Sequence, residues 1–176
     1  MATAPALMTI EQYLHTSYSP DVDFVDGHIE ERNLGEFDHG HLQVLLSSWF
    51  LQHMSTTGLV PCSELRIRVS PYRIRICDVA AVSRDIKREQ VAVTPPVVCI
   101  EILSPEDRLS RAEAVLSDYR EMGVPNIWLI DPVRRAAYFF NRDGLHHAQN
   151  NILPIAGTEH SVDVNSLFAA LDELNA

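Results

Sequence analysis

The chain lacks most of the devices that hold a protein together without a packed core. Its three cysteines, Cys62, Cys77 and Cys99, are odd in number and form no CxxC pair. Neither a disulfide framework nor a zinc ribbon is indicated, and the thiols read as buried and reduced. Long hydrophobic runs are missing as well: the longest apolar stretch, Val91 to Leu103, is broken by Pro95, Pro96 and Glu101 and cannot span a bilayer. Met1 to Met8 offers no basic n-region followed by an apolar run, which argues against a secretory signal. Positive charge is scarce. Fourteen Lys and Arg stand against 24 Asp and Glu, and the net charge of −10 opposes long-range attraction to a polyanion. The seven glycines lie near turns or helix ends and no GxxxxGK[ST] loop occurs, which weakens any reading as a hydrolase of small phosphate esters. These absences together lead us to expect a soluble, cytoplasmic protein.

What is present is enough apolar material for one core. At 176 residues and 46% hydrophobic content the chain is expected to form a single domain over 1–176, with 1–8 as a flexible arm. Thr9 to Leu14 reads as a short helix capped by Thr9, ended by Ser19-Pro20. Asp23 to Val25 and His28 to Glu31 flank Asp26-Gly27, a dipeptide suited to a type I′ turn, so a β-hairpin is predicted. From His39 the residues Leu42, Leu45, Leu46, Trp49, Phe50 and His53 recur at helical spacing up to Gly58. Leu65, Ile67 and Val69 alternate with Glu64, Arg66 and Arg68 as a strand, and Ser70-Pro71-Tyr72 turns into a second strand over 74–82. The charged segment 84–93 reads as a surface loop. Val97 to Leu103 reads as a central strand covered on both faces. A helix is expected to open at Ser104-Pro105-Glu106-Asp107 and run to Gly123, with Leu109, Ala112, Val115, Leu116, Tyr119 and Met122 inward. Asn126 to Ile130 and Arg135 to Phe140 read as antiparallel neighbours, and 165–174 as a last amphipathic helix.

Two acids stand where a folding argument would not put them. Asp78 interrupts the strand 74–82, and Glu101 interrupts the most apolar strand of the chain. An unpaired buried carboxylate is costly, so each needs a cation, a cluster of donors or a cleft. Should the two strands be neighbours, the carboxylates converge and supply what a protein usually gives a Mg²⁺ ion, which keeps its remaining shell as water. The plainer alternative is that each acid pairs with an arginine such as Arg66, Arg68 or Arg75.

Cys77-Asp78-Val79-Ala80-Ala81-Val82 and Ile100-Glu101-Ile102-Leu103-Ser104-Pro105 resemble the two acid-bearing strands of the Uma-two family of restriction-endonuclease-like proteins. The likeness extends to Tyr119, Gly123-Val124-Pro125, Trp128 and Asp131-Pro132, and upstream to Val25-Asp26-Gly27 and His39-Gly40. It implies a mixed α/β fold with a PD-(D/E)XK nuclease core, extended by the N-terminal hairpin. Asp78 and Glu101 would bind Mg²⁺ or Mn²⁺ for phosphodiester hydrolysis on DNA, with Glu36 as a further candidate ligand. His39 is the histidine to test, since His39 and His41 point to different helix faces. The chain departs from the pattern at the lysine, because Leu103 and Val115 occupy the two positions where one is expected. Arg66, Arg68, Arg108 and Arg111 are candidate substitutes that could stabilise a phosphoryl oxyanion but serve poorly as a base. Glu64 is either a salt-bridge partner of Arg66 and Arg68 or another ligand. Two functions follow: a Mg²⁺-dependent endonuclease, and a catalytically silent binding or assembly module that keeps the fold. By analogy of fold a homodimer is expected, through the strand Tyr138-Phe139-Phe140 or the hairpin near Asp26.

Overall fold

A computed structural model describes residues 7–32, 36–105 and 108–173. Its first helix, α1 (Ile10–Leu14), begins where side chains can satisfy the free backbone donors. Thr9 Oγ1 accepts from the Gln12 N–H at 3.1 Å, and the Gln12 side chain accepts from the Thr9 N–H at 2.8 Å, a reciprocal capping box. Strands β1 (Val22–Val25) and β2 (His28–Glu31) form the expected hairpin. Asp26 and Gly27, at φ 50° and 88°, provide the two left-handed positions that its turn requires.

Helix α2 (Phe37–Gln52) buries Leu42, Leu46 and Phe50 at its predicted spacing. Each such side chain contributes about 1.5–3 kcal/mol relative to exposure, which pins the first turns of α2, and His39 with them, to the sheet. The short α3 (Met54–Thr57) follows, and Gly58 ends it in the left-handed conformation at φ 68°. Next come β3 (Leu59–Ser70) and β4 (Arg73–Ser83), a long antiparallel pair. β3 starts six residues before the alternation at Leu65 becomes visible. Pro61 sits within it, opposite Ala81, and among the described residues β4 is the one strand paired to β3, so the missing N–H costs no ladder bond on a second side.

β5 (Val98–Ile102) lies between β4, antiparallel to it, and β6 (Asn126–Asp131), parallel to it, with α4 (Leu109–Met122) as the crossover. β7 (Ala136–Asn141) and β8 (Gly144–His147) complete a sheet ordered β2-β1-β4-β5-β6-β7-β8, with β3 also paired to β4. β9 (Ile152–Pro154) and β10 (Ser161–Asp163) form a separate two-stranded ribbon, and α5 (Val164–Asp172) closes the described chain. α2 and α5 cover one face around Val79, Ile100, Trp128 and Ile130. α4 covers the other around Ala80, Cys99, Leu116 and Leu129. Glu101 therefore belongs to a strand buried on both sides. Among the described residues no helix is long and apolar enough to cross a membrane.

One expectation needs correction. The crossover helix begins at Leu109 with Arg108 in the N-cap position, not at Ser104, and Pro105 occupies a turn ahead of it. Glu106, Asp107 and Leu174, assigned from the sequence to helices, lie outside the described residues. Tyr138, Phe139 and Phe140, weighed as a surface for a second copy, lie on β7, which is paired by β6 and β8, with Phe139 exposed. The other surface weighed for a second copy, the hairpin, has Asp26 tied to Arg73, whose Nη2 donates to Asp26 Oδ2 at 2.6 Å.

Candidate functional site

The β4–β5 register pairs Val79 with Ile100 and Ala80 with Cys99, so Asp78 and Glu101 stand opposite one another one step further along. On the other side of β4, Ser63 pairs with Val79 and Leu65 with Cys77, which sets Glu64 opposite Asp78. Three carboxylates thus come level across three strands. Glu64 takes a left-handed φ of 52°. Glu64 and Arg66 line one cleft beside Tyr13, and the Arg68 side chain reaches the Pro71 carbonyl.

Asp78 is buried, 2% exposed, and both of its oxygens are engaged. Arg32 Nη2 donates to Oδ1 at 2.6 Å. The Ile102 N–H donates to Oδ2 at 2.8 Å, and His39 Nε2 lies 3.2 Å from the same oxygen. Arg32 also donates through Nη1 to Glu64, whose second oxygen accepts from Gln43. Glu101 is held from the α4 side, where the Tyr119 hydroxyl donates to Oε1 at 2.6 Å. Arg32, His39, Asp78 and Glu101 line one small pocket of about 60 Å³, closed by Ile102 and Val115 among others. That volume admits an ion with a few waters.

The electrostatics follow from burial. Glu101 is pushed well above the ordinary glutamate range by burial first, then by the negative neighbours Asp78 and Cys77, with Arg32 only partly opposing. Burial likewise raises the Tyr119 hydroxyl, and Cys77 and Glu101 add to it. For His39, burial disfavours the cation, but the bond to Asp78 and the charges of Asp78 and Glu64 outweigh it and raise the pKa. Burial also acts against the Arg32 cation, and Asp78, Glu101 and Glu64 together more than compensate.

The structure sorts the predicted residues clearly. Asp78, Glu101 and His39 meet at the pocket, and Glu64 joins through Arg32. Glu36 does not join them: it is exposed at the start of α2, and its side chain makes no cap bond. Arg66 lies instead in the cleft beside Tyr13, and Arg68 Nη2 donates to the Pro71 carbonyl at 3.3 Å. Arg108 is exposed, while Arg111 lines the pocket but makes no ion pair among the described residues. His41 stacks on Phe37, with ring centroids 5.7 Å apart, and takes no part. Arg75, weighed as a partner of the two acids, binds Asp23, Glu30 and Asp118 instead. Leu103 and Val115, where the motif lysine was sought, both line the pocket with aliphatic side chains. The only lysine of the chain, Lys87, is on the surface loop. Sequence reasoning missed Arg32 and Gln43 and the link between Tyr119 and Glu101.

The donors suit a hard divalent cation. Among the described residues no three His, Cys, Asp or Glu side chains form a ready ligand set. One or two carboxylates suffice for Mg²⁺, however, and the Arg32 guanidinium already stands as a positive charge among these acids. Glu101 gains most from an added cation, since its ionisation is what burial and Asp78 oppose.

A mixed sheet with a parallel β5-α4-β6 crossover and two opposed acids on adjacent central strands defines a restriction-endonuclease-like α/β protein. The chain belongs to the Uma2 family, described as "putative restriction endonuclease", which matches residues 10–174. Its fold is similar to the crystal structure of a "putative nuclease belonging to DUF820" from Anabaena variabilis ATCC 29413. The two share 18% identity at a TM-score of 0.82, over 93% of this chain and 99% of that one. None of the curated proteins matches.

Proposed function

We propose that the chain is a metal-dependent endonuclease that hydrolyses DNA phosphodiester bonds at the Asp78–Glu101 pocket. The observation that carries this reading is the pair itself. Two carboxylates from adjacent buried strands face one small cavity, and burial together with Asp78 raises the pKa of Glu101 well above the ordinary glutamate range. Asp78 and Glu101 would hold the ion, with Glu64 at the rim. A bound Mg²⁺ or Mn²⁺ supplies Lewis-acid stabilisation of the phosphoryl charge and a more acidic water. The Ile102 N–H and His39 fix the Asp78 carboxylate, and Tyr119 fixes that of Glu101, so neither ligand has to reorganise. Leu103 and Val115 exclude bulk water from one wall of the pocket.

The test is cleavage of supercoiled and linear DNA by the purified chain in Mg²⁺ or Mn²⁺. Activity that Asp78→Asn and Glu101→Gln abolish supports the reading. Cleavage that survives both substitutions, or its absence from the wild type under every condition, sinks it.

One observation favours a second reading, the silent binding or assembly module. Both Asp78 oxygens already have protein partners, a closed arrangement that a purely structural ion network would also show. Calorimetry with Mn²⁺ separates the two: no heat at millimolar metal supports the silent module.

A further inference from the structure

We infer that Arg32 is a resident counter-cation that a divalent ion must displace from Asp78, so that this one arginine sets how tightly the pocket takes metal. The inference rests on the metal-dependent reading above and concerns regulation of the same site.

The two oxygens of Asp78 are not equivalent. Oδ2 accepts the Ile102 N–H at 2.8 Å, a bond that fixes the end of β5 and is part of the fold. Among the described residues Oδ1 has a single partner, Nη2 of Arg32 at 2.6 Å, which makes it the oxygen open to exchange. Its holder is a long side chain just beyond β2, and the second anchor of that side chain, Glu64, is 42% exposed.

An ion at Asp78 and a guanidinium at Asp78 exclude each other. Like charges held side by side in a pocket that water screens poorly repel strongly, and a divalent ion doubles the repulsion of a monovalent one. Arg32 must therefore withdraw as the ion enters. Glu64 gives it a place to go, because a carboxylate at the rim keeps the guanidinium by the pocket after Asp78 is released. There its planar fork can grip the oxygens of an incoming phosphate in two places. With the ion absent, the same arginine neutralises the acids and holds β2, β3 and β4 together. A variant without it should bind metal more tightly and bind phosphate less well.

The experiment titrates Mn²⁺ into the full chain by calorimetry without DNA, comparing wild type, Arg32→Gln and Arg32→Lys, with thermal melts reporting the fold. Arg32→Gln is expected to bind Mn²⁺ at least ten-fold more tightly than wild type. Arg32→Lys should fall between the two, since one ammonium cannot grip Asp78 and Glu64 as a fork. An unchanged or weaker affinity in folded Arg32→Gln overturns the inference, even where the wild type cleaves DNA and the nuclease reading stands. Should Arg32→Gln fail to fold, Arg32→Lys decides: a few-fold tightening supports the idea, and none overturns it. No heat from any variant overturns this inference and metal dependence together.

Discussion

The Tyr119 hydroxyl, fully buried beneath α4, donates to Glu101 Oε1 at 2.6 Å and so ties the crossover helix to the acid of the central strand. Tyr119→Phe leaves a buried carboxyl oxygen without its donor, a loss of about 1–3 kcal/mol. We expect a fall in unfolding free energy of that size by urea denaturation. Mn²⁺ binding should weaken several-fold, because Glu101 loses the contact that fixes its rotamer. A merely space-filling tyrosine would leave the metal affinity unchanged.

Glu101 also makes the metal-free protein sensitive to pH. Its folded pKa lies well above the unfolded value, so the folded state holds a proton that the unfolded chain releases. Stability is complete below the ordinary glutamate pKa and is lost as pH rises towards the folded one, by at most about 1.4 kcal/mol per pH unit. Glu101→Gln keeps an acceptor for Tyr119 and removes the titration. With chelator present, that variant should be the more stable protein at neutral pH, on the order of 1–2 kcal/mol. Its stability should then vary less between about pH 5 and 7. His39, whose pKa is also raised, contributes stability that is lost as pH climbs past its folded value, so some slope should remain near neutrality.

Parallel denaturation curves for wild type and Glu101→Gln across that range would refute the assignment. Saturating Mn²⁺ should reverse the order of the two proteins, since only glutamate gains a ligand by ionising.

The acids were legible in the sequence and their partners were not. Asp78 and Glu101 announce themselves as charges inside apolar strands, and His39 lies close to the helix start that the sequence places. Arg32 carries no such mark: beside Glu30 and Glu31 it reads as an ordinary hairpin charge, and only the three-strand register of β2, β1 and β4 brings it to Asp78. Strand alternation places Glu64 and Arg66 on one face, and they do line one cleft, but Arg66 is not among the residues lining the Asp78–Glu101 pocket, a distance no sequence period reveals. α2 and the crossover were readable because each buries a stripe at helical spacing, the hairpin from its Asp26-Gly27 turn, and β5 from its nearly continuous apolar run. β8, β9 and β10, of three or four residues, are too short for a period to emerge.

Asp78 serves the fold as well as the proposed chemistry, and substitutions should separate the two roles. Asp78→Ala strips the acceptor from Arg32, His39 and the Ile102 N–H at once. Arg32 keeps Glu64 and some access to water, which moderates the loss to about 2–4 kcal/mol. Asp78→Asn retains an oxygen for the Ile102 N–H and should cost about half as much, while abolishing Mn²⁺ binding equally. Equal destabilisation by the two, measured by urea melts, would mean that the backbone contact contributes nothing.

Beside the pocket, a second buried cation provides the contrast. Arg75 is 3% exposed and donates to Asp118 Oδ2 at 2.7 Å, Glu30 Oε2 at 2.8 Å and Asp23 Oδ2 at 3.1 Å. It joins the hairpin to α4 through β4. Arg75→Met leaves the buried Asp23 without its cation and Asp118 with Arg73 alone, at 2.8 Å, a loss of about 3–5 kcal/mol. The loss should grow with pH. Burial already raises the Asp23 carboxyl, Arg75 is the largest influence opposing that, and without it the folded pKa rises further, so stability drains away as pH increases. Mn²⁺ affinity should nevertheless stay within about two-fold of wild type, because the Ile76 N–H still fastens Asp23 through Oδ1 at 3.0 Å when Arg75 is gone, and the Arg32–Asp78 contact is untouched. The two arginines are thus expected to behave oppositely: removal of Arg32 improves metal binding at modest cost to the fold, and removal of Arg75 damages the fold and leaves metal binding alone. Tightened Mn²⁺ binding in Arg75→Met would erase that distinction and make Asp23 a member of the site.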